Sequence, residues 1–491
     1  MYRVCHLLLI VWAGRVTINI LPNDVLLHLF LIDGQEYHED LIMFSGEDRD
    51  RVGRLSWRWH RLVHVCRRWR SIVFASPNYL DLTLVCRPMR PVELTSIWPP
   101  LPIIIINSFN WIKHADAAIL HPSRVREIRL FNLTRSSFQL LASETRMREQ
   151  FPTLRHLMLH FDDDSHPSSV LPDGFLGGSA PLLQDLVLGS IPFPALPKLL
   201  LSATHLVRLI LSTIPHSGYF SPEAIVTALA GMTNLGHLFI GFESPLSRPH
   251  GESRRPPPPT RTVLPALTYF VFKGASEYLE DFVARIDASL LDSIYIIFFH
   301  QLIFDIPRFA QFMRRTARFQ ELTEAHVLFE ENYVRVETHT QTVTYDRTGF
   351  KILCKELDWQ LSSMAQVVTS FFPSIYIVEH LYIYAPLNRP QYDIENMQWL
   401  ESFHPFTAVK DLYLSGKSAP YIVPALQELV GGRTTEVLPM LQNILLEGLE
   451  PSGPIPEGIH KFVAARQLSG HPITVSIWES HLWRGYEEDD G

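Results

Sequence analysis

The 491-residue sequence predicts an α/β array of stacked repeats behind a small all-α head. Three observations predict it. A short phrase, apolar-x-x-apolar-x-apolar, returns ten times beyond residue 120. Within two runs its copies start 23 to 32 residues apart, which leaves room for a helix between successive strands. Ahead of them, residues 18–80 carry apolar side chains at helical rather than strand spacing.

The head comes first. Leu21-Pro22 precedes Asn23-Asp24, and Val25, Leu26, Leu29 and Phe30 then share one face of a short helix. Pro22 suits the first turn of that helix, where a missing N–H costs nothing. Asp33 to Arg54 is rich in Gly, Asp, Glu and Arg and reads as a loop. A second helix is expected to carry Trp57, Leu62, Val65, Cys66, Trp69, Ile72 and Val73, and to end at Ser76-Pro77-Asn78. Arg58, Arg61, Arg67, Arg68 and Arg70 form its solvated face.

The repeated phrase appears as Val125, Ile128, Leu130; Leu154, Leu157, Leu159; Leu183, Leu186, Leu188; and Leu206, Leu209, Leu211. It continues as Leu235, Leu238, Ile240; Leu267, Phe270, Phe272; and Leu291, Ile294, Ile296. After a gap come Val378, Leu381, Ile383; Val409, Leu412, Leu414; and Leu441, Ile444, Leu446. This is the leucine-rich-repeat phrase without a regular Asn or Cys at its end. Its last two apolar positions alternate as in a strand and point inward. One unit cannot bury that face alone, so neighbours stack and share a core. Helices are expected from Ser221-Pro222 to Gly231, from Ser276 to Ile286 and from Pro420 to Val430.

Two stretches break the pattern. Residues 326–354 alternate Val, Tyr, Thr and charged residues, as a β-hairpin insertion or as degenerate repeats. Residues 246–262, with Pro256 to Pro259, read as an exposed polyproline-like loop. The organisation expected is an apolar extension over 1–17, a head over 18–80 with an insertion at 31–56, and a linker and cap over 81–120. The array follows over 121–465, and a C-terminal strand, cap and acidic tail over 466–491.

Composition narrows the function. A net charge of −8 gives no global attraction to nucleic acid. Cys5, Cys66, Cys86 and Cys354 are too few and scattered for a disulfide framework, and no Cys-x-x-Cys pair exists for zinc. The apolar run from Leu7 to Ala13 is too short to span a bilayer. It reads as a weak signal-peptide core or as a buried extension. The first alternative carries an extracellular receptor-domain reading, with Asn132-Leu133-Thr134 as a glycan acceptor. The absence of paired-cysteine caps argues against it. Gly416-Lys417-Ser418 lacks the earlier glycine of a phosphate-binding loop, since position 411 is Asp411. Asp162-Asp163-Asp164 lacks the spaced ligands of a calcium loop. No catalytic, metal-binding or cofactor-binding residues are therefore expected.

The head resembles the F-box. The matching residues are Leu21-Pro22-x-Asp24-Val25-Leu26-x-x-Leu29-Phe30 and Leu62-x-x-Val65-Cys66-Arg67-x-Trp69-Arg70-x-Ile72. The Leu-Pro start and the Val-Cys-Arg-x-Trp ending are the most specific parts. With the repeats behind it, the chain resembles the F-box/leucine-rich-repeat proteins that are expanded in fungi. It departs from them in the extra residues Leu31 to Ser56 between the two halves.

The resemblance implies a solenoid with parallel strands on the concave side and helices outside. It implies a non-catalytic substrate-recognition subunit of an SCF-type ubiquitin ligase, cytoplasmic or nuclear, bound to no membrane. The head would meet a Skp-type adaptor, and through it a cullin–RING ligase, with Leu21, Pro22, Leu26, Leu29, Phe30, Val65, Cys66 and Trp69. Val65 and Trp69 are the residues of this set expected to double as core. The repeats would hold a protein substrate between the strand leucines, at Arg155, His156, Gln184, Asp185, Arg208, His237, Glu379, Lys410 and Asp411. The alternative is a ligase-independent interaction scaffold with a degenerate F-box.

Overall fold

The computed structural model describes residues 21–35, 58–77, 79–86, 100–107, 121–161, 170–245, 260–316, 319, 322–339, 348–372, 375–385, 396–415, 418–429, 433, 435–447 and 457–478. The apolar extension, most of the 31–56 insertion, Pro256 to Pro259, Asp162 to Asp164 and the acidic tail lie outside them. The chain divides into two compact units, Met1–Ile191 and Pro192–Gly491.

In the first unit the sequence pattern makes helices first. Pro22 caps α1 (Asn23–Gln35), its carbonyl accepting the Leu26 N–H at 3.1 Å. The helix runs three residues into the stretch read as loop. The expected second helix is two helices, α2 (Arg58–Val65) and α3 (Arg67–Ala75). Cys66 breaks it. Its backbone is extended, and its Sγ accepts the Trp69 N–H at 3.4 Å as an N-cap. The apolar spacing of Leu62, Val65, Cys66 and Trp69 continues across the break, which hid it. Leu26, Phe30, Trp59, Val63, Ile72 and Val73 form the small core of the three helices. Phe30 and Trp69 rings lie 4.7 Å apart. Arg68 pins the start of α1 by donating to Asn23 Oδ1 at 2.7 Å. Trp59 Nε1 donates to Thr83 O at 3.0 Å.

Five parallel strands follow in chain order: β1 (Leu84–Cys86), β2 (Ile103–Asn107), β3 (Val125–Leu133), β4 (His156–Phe161) and β5 (Asp185–Gly189). The first two lie in the segment expected to be a linker. They lack the three-position phrase, but Leu101, Ile103 and Ile105 alternate inward and are at most 3% exposed. Between β3 and β4 runs α4 (Arg135–Ser143), capped by Thr134 Oγ1, which accepts the Ser137 N–H at 3.3 Å.

The second unit alternates the two element types. Its first half contains α5 (Leu196–Leu200), β6 (Arg208–Ile214), α6 (Pro222–Leu229), β7 (His237–Phe242), β8 (Thr262–Val263), β9 (Tyr269–Gly274), α7 (Ser276–Val283), β10 (Ile286–Asp287), β11 (Ser293–Phe299) and α8 (Pro307–Arg315). The second half contains β12 (Glu324–Phe329), β13 (Tyr333–His339), β14 (Thr348–Leu353), α9 (Leu357–Phe371), β15 (His380–Tyr384), α10 (Asn396–Phe403), β16 (Asp411–Leu414), α11 (Ala419–Gln427), β17 (Asn443–Glu447), α12 (Glu457–Leu468) and β18 (Thr474–Trp478). The helix expected to reach Ile286 stops at Val283, and Ile286 pairs with Thr262 in the small β8–β10 ladder. The boundary expected after residue 465 falls inside α12, where Arg466 is fully buried and donates to Leu438 O at 2.6 Å.

Strand order in this unit is β6-β7-β9-β11-β14-β13-β12-β15-β16-β17-β18. All neighbours are parallel except β13, which is antiparallel to both β12 and β14. The insertion is therefore a three-stranded meander whose last strand, β14, lies beside β11 while its first, β12, lies beside β15. Gly349 permits it: a Cβ there would come within 2.4 Å of the Val336 carbonyl oxygen. Gln360 of α9 ties the meander down, donating to Glu330 O at 2.9 Å and Cys354 O at 2.7 Å.

Every apolar position of the ten phrases is buried, none more than 4% exposed. Equivalent positions sit in register on neighbouring strands: Leu157 pairs Leu186, Leu238 pairs Phe270, and Leu412 pairs Ile444. Each such side chain contributes roughly 1.5–3 kcal/mol by leaving water. Helix ends are closed from their own chain or a neighbour. Ser221 Oγ accepts the Ala224 N–H at 3.2 Å at the start of α6. Glu280 of α7 reaches α8, accepting the Arg308 and Phe309 N–H groups at 3.0 and 2.7 Å. Burial pushes the Glu280 carboxyl above its usual range, and these two N–H groups oppose that rise. The architecture is α/β, with a mostly parallel sheet in each unit.

Candidate functional site

Two surfaces collect the candidate residues. On the head, Leu26 and Phe30 are core, at 0% and 6% exposure. Leu21, Leu29, Cys66 and Trp69 are half-buried, and Pro22 is exposed. Val65, expected in the core, is 58% exposed, because the break at Cys66 turns the end of α2 outward. Val25 at 40% and Ile32 at 44% join it, and neither Ile32 nor its role was anticipated. Val25, Leu29 and Ile32 lie at i, i+4 and i+7, so α1 carries an outer apolar stripe besides its buried one. That spacing was available in the sequence. Trp69 Nε1 is buried and finds no acceptor among the described residues.

The second surface is the strand face turned away from the phrase leucines. Parallel pairing sets its side chains in rungs across the strands. Arg155, Gln184, Glu379 and Lys410 precede their strands and join them by backbone bonds, as where Arg155 N–H donates to Arg126 O at 2.8 Å. His156, Asp185, Arg208, His237 and Asp411 open their strands and occupy the first rung. The structure brings some of them together. His156 Nδ1 and Asp185 Oδ2 hydrogen-bond at 2.6 Å. Arg208 and His237 are register partners. Lys410 Nζ lies 2.6 Å from Glu379 Oε1, and this ammonium holds the Glu379 carboxyl below its usual range. The nine do not make one site. Arg155, His156, Gln184 and Asp185 belong to the first unit, and the rest fall into two groups of the second on either side of the meander.

The residues that sequence reasoning missed lie one rung further along β12, β15 and β16, and two rungs further along β18. His326 stacks on Tyr382, 4.3 Å apart and nearly parallel. Tyr382 stacks on Tyr413 at 4.0 Å. Trp478 closes on Tyr413 at 5.1 Å with ring planes 68° apart. The signal was present: Tyr382 and Tyr413 are the residues between the last two apolar positions of their phrases. Burial pushes the Tyr382 and Tyr384 hydroxyls well up and raises that of Tyr413. Nearby carboxylates add to it: Glu324 acts on Tyr382 and Tyr413, Asp411 on Tyr413, and Glu447 on Tyr384. Asp411 is held between strands, with His380 Nδ1 at 2.8 Å from Oδ2 and Asn443 Nδ2 donating to Oδ1 at 2.6 Å.

Among the described residues no group of three or more His, Cys, Asp or Glu is arranged to hold a metal ion. Among them, too, no helix is long and apolar enough to cross a membrane. Ser418 is fully buried, its hydroxyl donating to Ile383 O at 3.1 Å, which gives it a structural role. In the Asn132 sequon, Thr134 is the cap of α4. No protein-family model matches the chain, and no curated protein matches it.

Proposed function

We propose that the chain is the substrate-recognition subunit of an SCF-type ubiquitin ligase. In this reading α1–α3 form an F-box that binds a Skp-type adaptor, and the strand units form a leucine-rich-repeat solenoid that holds a protein substrate. The observation that carries it is the uncovered apolar stripe of the head. Val25, Leu29, Ile32 and Val65 stay in contact with water while Leu26 and Phe30 fill the core behind them. An exposed stripe of this kind on short helices is what a partner's surface buries. The mechanism is proximity: the subunit raises the effective concentration of a substrate lysine beside the charged conjugating enzyme, and supplies no catalytic group.

The test is co-purification of the tagged full-length protein with its endogenous Skp-type adaptor, beside a Val25→Asp/Val65→Asp variant. Both sites are exposed, so the variant keeps its fold, which circular dichroism checks. Adaptor recovered with the wild type and lost from the variant is the expected result. A folded wild type that recovers no adaptor overturns the reading. One observation favours a second reading, a ligase-independent scaffold: the extra residues Leu31 to Ser56 separate the two halves of the F-box match. Partner capture by the strand face without adaptor or cullin would establish it.

A further inference from the structure

The C-terminal strands of the second unit present a face of unusual chemistry. The outward positions of β15 to β18 are His380, Tyr382 and Tyr384; Asp411 and Tyr413; Asn443, Leu445 and Glu447; and Thr474, Ser476 and Trp478. None is Lys or Arg. Lys410, the residue before Asp411, is taken up by Glu379 at 2.6 Å, and the cations of the meander are engaged there. Arg335 Nε lies 3.7 Å from Glu337, and Lys351 Nζ lies 3.7 Å from the centroid of the Tyr333 ring. The face is therefore aromatic and acidic.

Its geometry is specific. Tyr382, which also meets the Trp478 ring at 5.8 Å, is sandwiched between His326 and Tyr413, and Tyr413 is the end ring of that stack. Trp478, two strands on, stands at 68° to it, and half-buried Leu445 lies between them on β17. Two π-systems thus form a corner over an aliphatic floor. Asp411 borders the corner on β16, and Glu447, the register partner of Trp478, borders it on β17. The rung continues through His326 to Glu337, whose side chain is only 2% exposed and whose Oε1 accepts no hydrogen bond among the described residues. An aromatic corner attracts cations through the ring quadrupoles, and flanking carboxylates add a directional pull. A guanidinium matches both parts, since it is planar enough to lie on a ring and forked enough to meet a carboxylate.

We propose that this corner, Tyr413 and Trp478 with Glu447 and Asp411, binds an arginine side chain of a protein partner. The assignment rests on the reading of the strand face as a protein-capturing surface, and it names the chemistry of what is captured: an arginine-bearing segment. It does not depend on the adaptor.

The experiment titrates the full-length protein into a fluorescein-labelled Gly-Arg-Gly-Arg-Gly peptide and follows anisotropy. The same peptide with citrulline, which keeps the shape and removes the charge, is the first comparison. The peptide with lysine is the second. The arginine probe is expected to bind about tenfold more tightly than either analogue. Trp478→Ala and, independently, the conservative Glu447→Gln are each expected to weaken it by about tenfold. Equal binding of the citrulline probe overturns the proposal, as does a lysine probe as tight as arginine. Unchanged binding by both folded variants, or no binding of any probe, overturns it too. Because the titration uses no adaptor, its failure leaves the co-purification result standing, and loss of adaptor binding leaves the titration readable.

Discussion

The two units use the same first rung and different second rungs. In the first unit, His156 opens β4 beside Asp185, which opens β5. In the second, His380 opens β15 beside Asp411, which opens β16. One rung on, the first unit has Met158 and Val187, while the second has Tyr382 and Tyr413. The leucines behind both are equally buried. The difference teaches that the core phrase fixes the ladder and leaves the residue between its last two apolar positions open. That residue is where the units diverge.

The largest effect should be the shared one. Leu157→Ala and Leu412→Ala remove side chains that are at most 1% exposed, and each should cost about 2–5 kcal/mol in denaturant unfolding. A cost for Leu412→Ala far below that of Leu157→Ala would break the equivalence of the two ladders. The second rung should then separate them. Tyr413→Ala loses the stack on Tyr382 and the contact with Trp478, and about 2 kcal/mol is expected. Half-buried Val187→Ala should lose about 1 kcal/mol or less. Equal losses would mean that the aromatic rung is not packed.

A third comparison concerns the backbone beyond the phrase. Asn132 follows Leu130 by two residues and Thr213 follows Leu211 by two, and both have positive φ, 51° and 52°. Each sits where the strand register shifts. Asn tolerates this left-handed conformation, whereas β-branched Thr pays a steric cost. Thr213→Asn should therefore stabilise the second unit by about 1 kcal/mol, read as a raised unfolding midpoint. Destabilisation would show that the Thr213 side chain contributes something the geometry does not reveal.

Much of this was legible and some was not, for physical reasons. The ten phrases located ten strands because a period-2 apolar pair can be buried only one way. The Ser221 cap with Pro222 behind it was equally readable. β1 and β2 escaped because Ile103 to Ile106 form an unbroken apolar run with no phrase around them. The break at Cys66 escaped because helical spacing persists across it. The order β11-β14-β13-β12 could not be read at all, since local sequence makes strands but does not say which neighbour each one finds. On the head, Leu26 and Phe30 matched a binding motif and proved to be core, while Val25 and Ile32 form the outer stripe. Choosing between two apolar stripes on one helix requires knowing what packs against it.

The smallest predicted effect returns to the first rung. The two His–Asp contacts are similarly exposed, 30% and 19% in the first unit against 27% and 18% in the second. Their geometry differs. His156 makes an aligned hydrogen bond, whereas His380 Nδ1 comes within 2.8 Å of Asp411 without the alignment of one. Asp411 instead accepts from Asn443 on β17, and Asn443 Oδ1 accepts from Thr474 on β18. Its carboxylate is thus directed toward the later strands rather than back toward β15. Double-mutant cycles should therefore give about 1 kcal/mol for His156 with Asp185 and about 0.5 kcal/mol for His380 with Asp411. The cycle of Asp411 with Asn443 should exceed the cycle of Asp411 with His380. The reverse order would mean that Asp411 serves its own histidine as Asp185 does, and the two units would then differ only in their aromatic rung.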